Sequence, residues 1–374
     1  MGATKPLAVD LFSGAGGMSL GFHQAGFNVA AAFDYNSRCV DIHGRNFPGS
    51  TSKQADLSSA SGADLLTLGG LKPGSIDVLF GGPPCGGFSV AGQRRPNDPR
   101  NKLLLRFAEF VGELKPKYFV VENVKGLMIG GTHSVLEKFR ALVQGSGYKL
   151  VWPVKVLNAA DFGVPQRRER IFILGCLKTM TLPVYPTPTT PRESDRRVTV
   201  EEAISDLAVI DEHSHRIDGD TYRGPIGAQS TYARGLLAGV EGQRKRDAES
   251  TRKHRLLSGC LRVEHSKDAV SRFRKTKQGT REPISRFYRL SATGVSPTLR
   301  AGTDADHGKF TAVRPIHYAR PRCITVREAA RLHSYPDWFQ FHPTKWHGFM
   351  QIGNSVPPML SRAVARSVLR AMSK

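Results

Sequence analysis

The sequence predicts an α/β protein, an open and mostly parallel Rossmann-like sheet joined to a second, smaller domain. Three observations predict it. Over the first ~175 residues short apolar segments alternate with amphipathic ones, the pattern of strands linked by crossover helices. A glycine-rich turn, Asp10 to Gly17, follows the first apolar segment and opens a helical one. Near Pro183 the character changes: Leu182–Arg192 carries four prolines among threonines, which suits an extended linker, and a basic, less periodic stretch follows.

Taken in order, the strands are expected at Leu7–Phe12, Asn28–Phe33, Ile76–Phe80 and Tyr118–Val121. Leu150–Leu157 and Arg170–Cys176 are expected to form a hairpin near the sheet edge. Helices are expected between them, including Met18–Ala25 and Lys102–Leu114. Beyond the linker, Thr325–Leu332 reads as a helix with Thr325 as N-cap and Glu328 closing a capping box. The last segment, Pro357–Met372, is helical by pattern, with its prolines tolerated in the first turn. It is expected to return and pack beside the first βα unit. The large domain is therefore expected to comprise residues 1–178 plus 345–374, and the small one 179–344.

Composition narrows the partners. With 54 Lys plus Arg against 32 Asp plus Glu, the chain carries a formal charge of +22, an excess that favours a polyanionic partner over a merely basic surface. From Glu241 to Leu290, 15 basic residues face 6 acidic ones, a solvated surface or a nucleic-acid face. No run of 18 apolar residues suggests a membrane span, and no signal peptide is read in Met1–Lys5. The five cysteines (Cys39, Cys85, Cys176, Cys260, Cys323) form no C-x-x-C pair and have no zinc-like histidine spacing. A reducing compartment is expected, without disulfides or metal.

Several segments carry chemistry. Gly14, Gly16 and Gly17 permit a tight turn and close backbone approach to a ligand, although any α/β fold can use such a turn. Ser19 stands where the third glycine of G-x-G-x-x-G would be, and there is no G-K-[ST], so neither a dinucleotide fingerprint nor a P-loop is present. Asp34, at the end of the second strand, can hold a ribose, and Asp56 can accept from an exocyclic amine. Each can equally cap the next helix. Together they describe a nucleoside site without a phosphate cradle, which S-adenosylmethionine would suit. Cys85 follows a strand in Gly81-Gly-Pro-Pro-Cys-Gly-Gly-Phe-Ser89, a stiff, open loop that marks it as a nucleophile candidate. Glu122 and Asn123 end the next strand. In Gln166-Arg-Arg-Glu-Arg170, alternation puts Gln166, Arg168 and Arg170 on one face, suited to a polar reacting centre or to a solvated edge.

Six of these segments, in this order, resemble the motifs of the DNA (cytosine-5) methyltransferase family of bacterial restriction–modification type: residues 10–17, 81–89, 122–124, 166–170, 327–337 and 351–358. The resemblance covers residues 7–176 and about 290–374, and the stretch between corresponds to the family's variable target-recognition region. It implies a sheet of the S-adenosylmethionine-dependent methyltransferase type, and transfer of a methyl group to C5 of a flipped-out cytosine within a short double-stranded DNA sequence. S-adenosylhomocysteine would be the product, and no metal takes part. By resemblance Cys85 adds to C6, and Glu122 holds N3 and the exocyclic N4, a role that needs a carboxyl protonated at least transiently, as burial favours. Arg168 would contact the base carbonyl O2, Asn123 orient the active-site loop, and Arg170 support the cluster. The cofactor would lie against Phe12, Gly14, Gly16, Gly17, Asp34, Tyr35, Asp56 and Asn354, with Leu57, Leu103 and Val356 beside it.

Two positions depart from the family. Gly86 replaces the usual glutamine after the cysteine, and Asp34 the longer glutamate. A tRNA cytosine-5 methyltransferase would do the same chemistry, but its relatives carry a Cys-Phe-Thr tripeptide that this sequence lacks. A catalytically idle DNA-binding protein would have no use for the full set of Cys85, Glu122 and Arg168. The sequence shows no large symmetric apolar surface, so a monomer is the default, and its cysteines suit a reducing cytoplasm. The resemblance further implies a bacterial enzyme bound to nucleoid DNA, with a cognate restriction endonuclease acting separately or none.

Overall fold

The computed structural model describes residues 4–84, 102–128, 133–190, 196–238, 256–302 and 314–374. The chain divides into two compact units, one of Met1–Asn158, Glu169–Pro188 and Leu360–Lys374, the other of Ala159–Arg168 and Thr189–Met359.

The first unit is built on strands β1 (Leu7–Leu11), β2 (Asn28–Asp34), β3 (Thr51–Gln54), β4 (Val78–Gly81), β5 (Tyr118–Val124), β6 (Tyr148–Leu150), β7 (Lys155–Asn158) and β8 (Glu169–Leu177). They form one sheet in the order β3-β2-β1-β4-β5-β8-β6, with β7 also paired to β8. Neighbours from β3 to β5 run parallel, and β8 runs antiparallel to β5, β6 and β7. β3, Thr-Ser-Lys-Gln, was invisible in the sequence because it is a polar edge strand with no buried residue. The segment expected as one strand over Leu150–Leu157 is two, interrupted between Leu150 and Lys155 at the cis Trp152–Pro153 bond. Both pieces lie along β8, and β7 with β8 gives the antiparallel pairing expected near the edge.

Among the described residues, this unit's helices include α1 (Gly17–Ala25), α2 (Ser37–Asn46), α3 (Gly62–Gly69), α4 (Lys102–Leu114) and α5 (His133–Gly145), besides the last helix of the chain. Strand alternation sends Val9, Leu11, Leu79, Phe119, Val121, Ile171 and Ile173 into a core shared with Phe107, Phe110 and Val111 of α4 and Leu136, Phe139 and Val143 of α5. The opposite set from the same strands meets α1, where the Phe22 ring stacks on Phe80 at 3.8 Å between centroids. Both faces are thereby covered, as a parallel sheet requires.

The last helix, Pro358–Met372, packs on α1, as the sequence suggested. Ser361 Oγ donates to the Met18 carbonyl at 3.0 Å, and the backbones approach so closely at Gly21 that an added Cβ would lie 2.4 Å from Ser361 Cβ.

The second unit has less regular structure. A small sheet orders β9 (Ile217–Asp218), β10 (Thr221–Arg223) and β11 (Leu256–Leu257) as β11-β10-β9. Short helices surround it, and Val326–Leu332 carries the expected Thr325–Glu328 capping box.

Because the helix backbone at Gly21 has no room for a methyl group, Gly21→Ala should lower stability by about 1–3 kcal/mol through overpacking. Urea unfolding of the full chain followed by circular dichroism measures it. An unchanged midpoint would mean that the last helix does not bear on α1 as described.

Candidate active site

One row of backbone pairing sets the site. Leu11 pairs with Gly81, and Gly81 with Val121, so β1 and β4 end side by side, level with Val121 of β5. A Cβ on Gly81 would sit 2.0 Å from the Leu11 carbonyl oxygen, so only glycine permits this approach. Strand order reverses direction at the β1–β4 boundary, the switch point where open α/β sheets take their ligands at the carboxyl ends of strands. The glycine turn leaves β1 there, the cysteine loop leaves β4, and Glu122 lies one residue past the row in β5.

The glycine turn is held open by Asp34. Its two carboxylate oxygens accept from the backbone N–H of Gly14 and of Asn36, each at 2.8 Å. Burial raises the Asp34 pKa and these two bonds lower it in part. Gly14 and Gly16 take φ values of 53° and 100°, and Phe12 a φ of 60°, so the turn begins in left-handed backbone. The Tyr35 ring beside Asp34 is 72% exposed. Asp56 is exposed and its Oδ1 accepts from the Ser58 amide and hydroxyl in a local turn; the N-cap of the next helix is Ser61, not Asp56. Leu57 is buried in the core under this edge, and Leu103 lies half-buried on α4. Gly17 opens α1.

Cys85 and Gly86 lie outside the described residues; the loop is seen as far as Pro84. Its beginning is fixed from β5. Asn123 Nδ2 donates to the Pro83 carbonyl at 3.2 Å, two residues before the cysteine, while Asn123 Oδ1 accepts from the Val124 amide at 2.7 Å. Glu122 is buried, and its Oε1 pairs with Arg170 Nε at 2.8 Å across the β5–β8 ladder. Its Oε2 lies 3.0 Å from where a Cβ on Gly82 would be, so the carboxylate faces the root of the cysteine loop. Burial lowers the Arg170 pKa, and Glu122 opposes that shift. Glu122, Asn123, Arg170 and the loop root are therefore brought together.

Arg168 and Gln166 have other partners, in the second unit. Arg168 is 1% exposed, and its guanidinium donates to the carbonyls of Leu299, Gly353 and Ser355 at 2.9, 2.6 and 2.8 Å. It grips the turn that displays exposed Asn354 and buried Val356. Gln166 Oε1 accepts from the Leu299 amide, and its Nε2 bonds the Leu332 carbonyl and His333 Nδ1.

A buried polar chain beneath the glycine turn went unread in the sequence. Ser19 Oγ donates to Asp10 Oδ2 at 2.6 Å, His43 Nε2 lies 2.9 Å from Ser19 Oγ, and His43 Nδ1 lies 2.7 Å from Ser52 Oγ. The only hint was Ser19 itself, standing where a dinucleotide fingerprint needs glycine. Burial pushes the Asp10 carboxyl well up and the His43 imidazole down to about 3. Among the described residues no cluster of His, Cys, Asp and Glu is arranged to hold a metal ion, and no helix is long and apolar enough to cross a membrane.

Comparison with known proteins agrees along the whole chain. The family profile described as C-5 cytosine-specific DNA methylase matches residues 8–370. The type II methyltransferase M.XorII of Xanthomonas oryzae pv. oryzae is 44% identical over 99% of this chain and 86% of its own length. The type II methyltransferase M1.HphI of Haemophilus parahaemolyticus is 33% identical over 97% of this chain and 86% of its own. An E. coli prophage protein described as a DNA modification methyltransferase superimposes with a TM-score of 0.83 at 32% identity, covering 99% of this chain and 100% of that one.

The His43 environment sets a pH dependence. Folded, His43 stays neutral down to about pH 3, whereas an unfolded histidine takes a proton near 6.5. Between those values the unfolded state binds more protons, so this contribution is complete above pH 6.5 and is lost as pH falls towards 3. His43→Gln, which cannot titrate there, should show a shallower loss of urea midpoint than the parent chain between pH 7.5 and 4.5. Parallel curves would show that His43 titrates normally.

Proposed function

The chain belongs to the C-5 cytosine-specific DNA methylase family, and from that membership we propose a covalent mechanism on a base rotated out of its duplex. It is a DNA (cytosine-5) methyltransferase, with an α/β fold and relatives drawn from type II restriction–modification systems. The finer reading concerns which residues perform the transfer.

Cytosine C5 is too weak a nucleophile to take a methyl group unaided. The Cys85 thiolate adds to C6 while Glu122 donates a proton or hydrogen bond to N3, which leaves C5 electron-rich enough to accept the methyl group that a bound donor would supply. A base then removes the C5 proton, the C6–sulfur bond breaks, and 5-methylcytosine leaves. Glu122 also accepts from the exocyclic N4, which selects cytosine over thymine. One observation supports this reading above the rest: Glu122 is held between Arg170 and the root of the cysteine loop, beside the loop that carries Cys85. Arg170, already on that carboxylate, is the cation suited to the base carbonyl O2, the place first expected for Arg168. Asn123 positions the loop through Pro83. Arg168 acts through the Gly353–Ser355 turn that it grips.

The family implies S-adenosylmethionine as methyl donor, and the residues fit it. The Asp34 carboxylate, the exposed Tyr35 ring and a glycine turn without phosphate-cradling sequence suit a phosphate-free nucleoside. The donor supplies an electrophilic methyl group on a sulfonium. Asp34 would hold the ribose and Tyr35 cover the adenine. Phe12, Gly14, Gly16 and Gly17 would shape the floor, and Asp56, Leu57, Leu103, Asn354 and Val356 complete the lining. Residues 1–178 with 345–374 would then be the catalytic and cofactor-binding part, and 179–344 the target-recognition part. We assign the protein a short double-stranded target and action as a monomer in the bacterial cytoplasm, within a restriction–modification system or as an orphan methyltransferase.

Cys85→Ser should abolish methylation while DNA binding stays within about threefold of the parent, since a hydroxyl is a far poorer nucleophile than a thiolate. Bisulfite sequencing of bacterial DNA after expression of each form reads this directly. Protection of one short motif by the parent alone is the expected result. Equal protection by the Cys85→Ser variant would remove Cys85 from the mechanism.

A further inference from the structure

The second unit carries a rigid hairpin whose tip is apolar and whose flanks are basic. It begins in the helix Lys267–Lys275 and returns through Arg289. The strands are joined by Gly279 N–H to Arg289 O at 2.9 Å, Arg289 N–H to Thr280 O at 2.8 Å and Glu282 N–H to Phe287 O at 2.8 Å. At the base, Arg289 Nη1 donates to the carbonyls of Phe273, Arg274 and Thr276, satisfying the C-terminal end of the helix. Phe287 packs against Phe273, Ile316 and Cys323.

At the tip a carboxylate has been buried to hold four residues in place. The Glu282 side chain is fully buried; its Oε1 accepts from Arg272 Nε at 3.0 Å and its Oε2 from the Ser285 amide. Burial alone would raise this carboxyl, but the bonds from Ser285, Ile284 and Arg272 outweigh it and hold it at about 2. Arg286 is forced to a φ of 60°, with its N–H on Glu282 O at 2.9 Å and its carbonyl on Arg281 Nη1 at 3.0 Å. Left-handed backbone in a non-glycine residue persists only where the surroundings over-determine it, and it concentrates at functional sites.

What this framework presents is Ile284, 71% exposed at the apex. Lone exposed aliphatic residues are ordinary on a protein surface. This one sits on a tip fixed from below, in a segment, 267–289, holding eight basic and two acidic residues, of which one acid is the buried Glu282. Lys275, Lys277, Arg281 and Arg286 of the same segment are all exposed. A membrane or a protein partner would be met by a broader apolar face. A polyanion with apolar surface recessed between its charges is a nucleic-acid duplex, whose base edges and thymine methyl groups lie between phosphate rows.

We propose that Ile284 is an apolar base-contacting side chain of the target-recognition unit, pressed into the duplex by this hairpin while Lys275, Lys277, Arg281 and Arg286 meet phosphates. The proposal rests on the DNA-methylating function assigned above and adds a specificity determinant to it.

Binding of the full chain to a randomised duplex library, followed by sequencing of the bound fraction, gives sequence preference without requiring turnover. Ile284→Ala should lower discrimination between the preferred motif and others by about tenfold or more, the size of one lost base contact. Ile284→Val should retain most of it. Lys275→Ala with Lys277→Ala should weaken binding to all duplexes alike and reduce the salt-dependence slope by about 2. S-adenosylmethionine binding and the unfolding midpoint should be unchanged in every variant. An Ile284→Ala protein with the parent's sequence preference would overturn the inference. Failure of the functional reading would show differently, as absence of methyl transfer by the parent chain.

Discussion

The arrangement of the first unit depends on one constraint, the side-by-side ending of β1 and β4 level with Val121 of β5. Gly81 lies so near the Leu11 carbonyl that a side chain cannot stand between the strands. That contact sets where β4 stops relative to β1, and the β4–β5 register then places Glu122 one residue beyond Val121. The glycine turn, the cysteine loop and the last residues of β5 come next to one another as a result. A one-residue slip in β5 would reverse the faces of Glu122 and Asn123, and with them the Arg170 pair and the hold on Pro83.

The same region shows why polar groups here must be positioned by partners. Burial by itself disfavours a carboxylate, and Asp10 and Asp34 are both raised by it. The two are used differently. Asp34 gives its oxygens to backbone amides and so shapes the glycine turn, while Asp10 is sealed behind Ser19 and His43. Glu122 has an arginine on one oxygen and faces the cysteine loop with the other. Equivalent residue types at the ends of neighbouring strands thus do unequal work because their hydrogen-bond partners differ.

Much of this was legible in the sequence. Apolar runs located β1, β2, β4, β5 and β8, because strands buried on both faces leave continuous hydrophobic stretches. Thr51–Gln54 left none, being an exposed edge, and in Leu150–Leu157 the apolar run outweighed Pro153, which marks the break. Motif order pointed to Glu122, Asn123 and Arg170, which the fold gathers at the cysteine-loop root. It gave the base carbonyl to Arg168 and a supporting role to Arg170, an order the pattern itself does not dictate. Two residues of the same type on an alternating segment are equivalent by pattern, and only the partners distinguish them: one finds a carboxylate, the other three backbone carbonyls. Nor did it reveal the Ser19–His43 chain, which joins residues from separate elements that only the folded sheet brings together.

The second unit rests on a different solution. It has short strands and short helices, so many of its backbone carbonyls lie outside regular ladders and need donors. Buried arginines supply them. Arg327 reaches the carbonyls of Ser258, Pro336 and Phe339, and Arg331 binds Asp206 and Asp337 as well as the Ala203 carbonyl. A guanidinium offers five donors in a fixed plane, so one residue can tie several irregular segments together. Segments fixed through their backbone place few demands on the outward side chains. The hairpin that carries Ile284 follows this logic, being held by Glu282 and Arg289 through amides and carbonyls while the Ile284 side chain stays exposed. A frame of this kind keeps its shape while the residues it displays change, which is the physical requirement for reading different sequences with one fold.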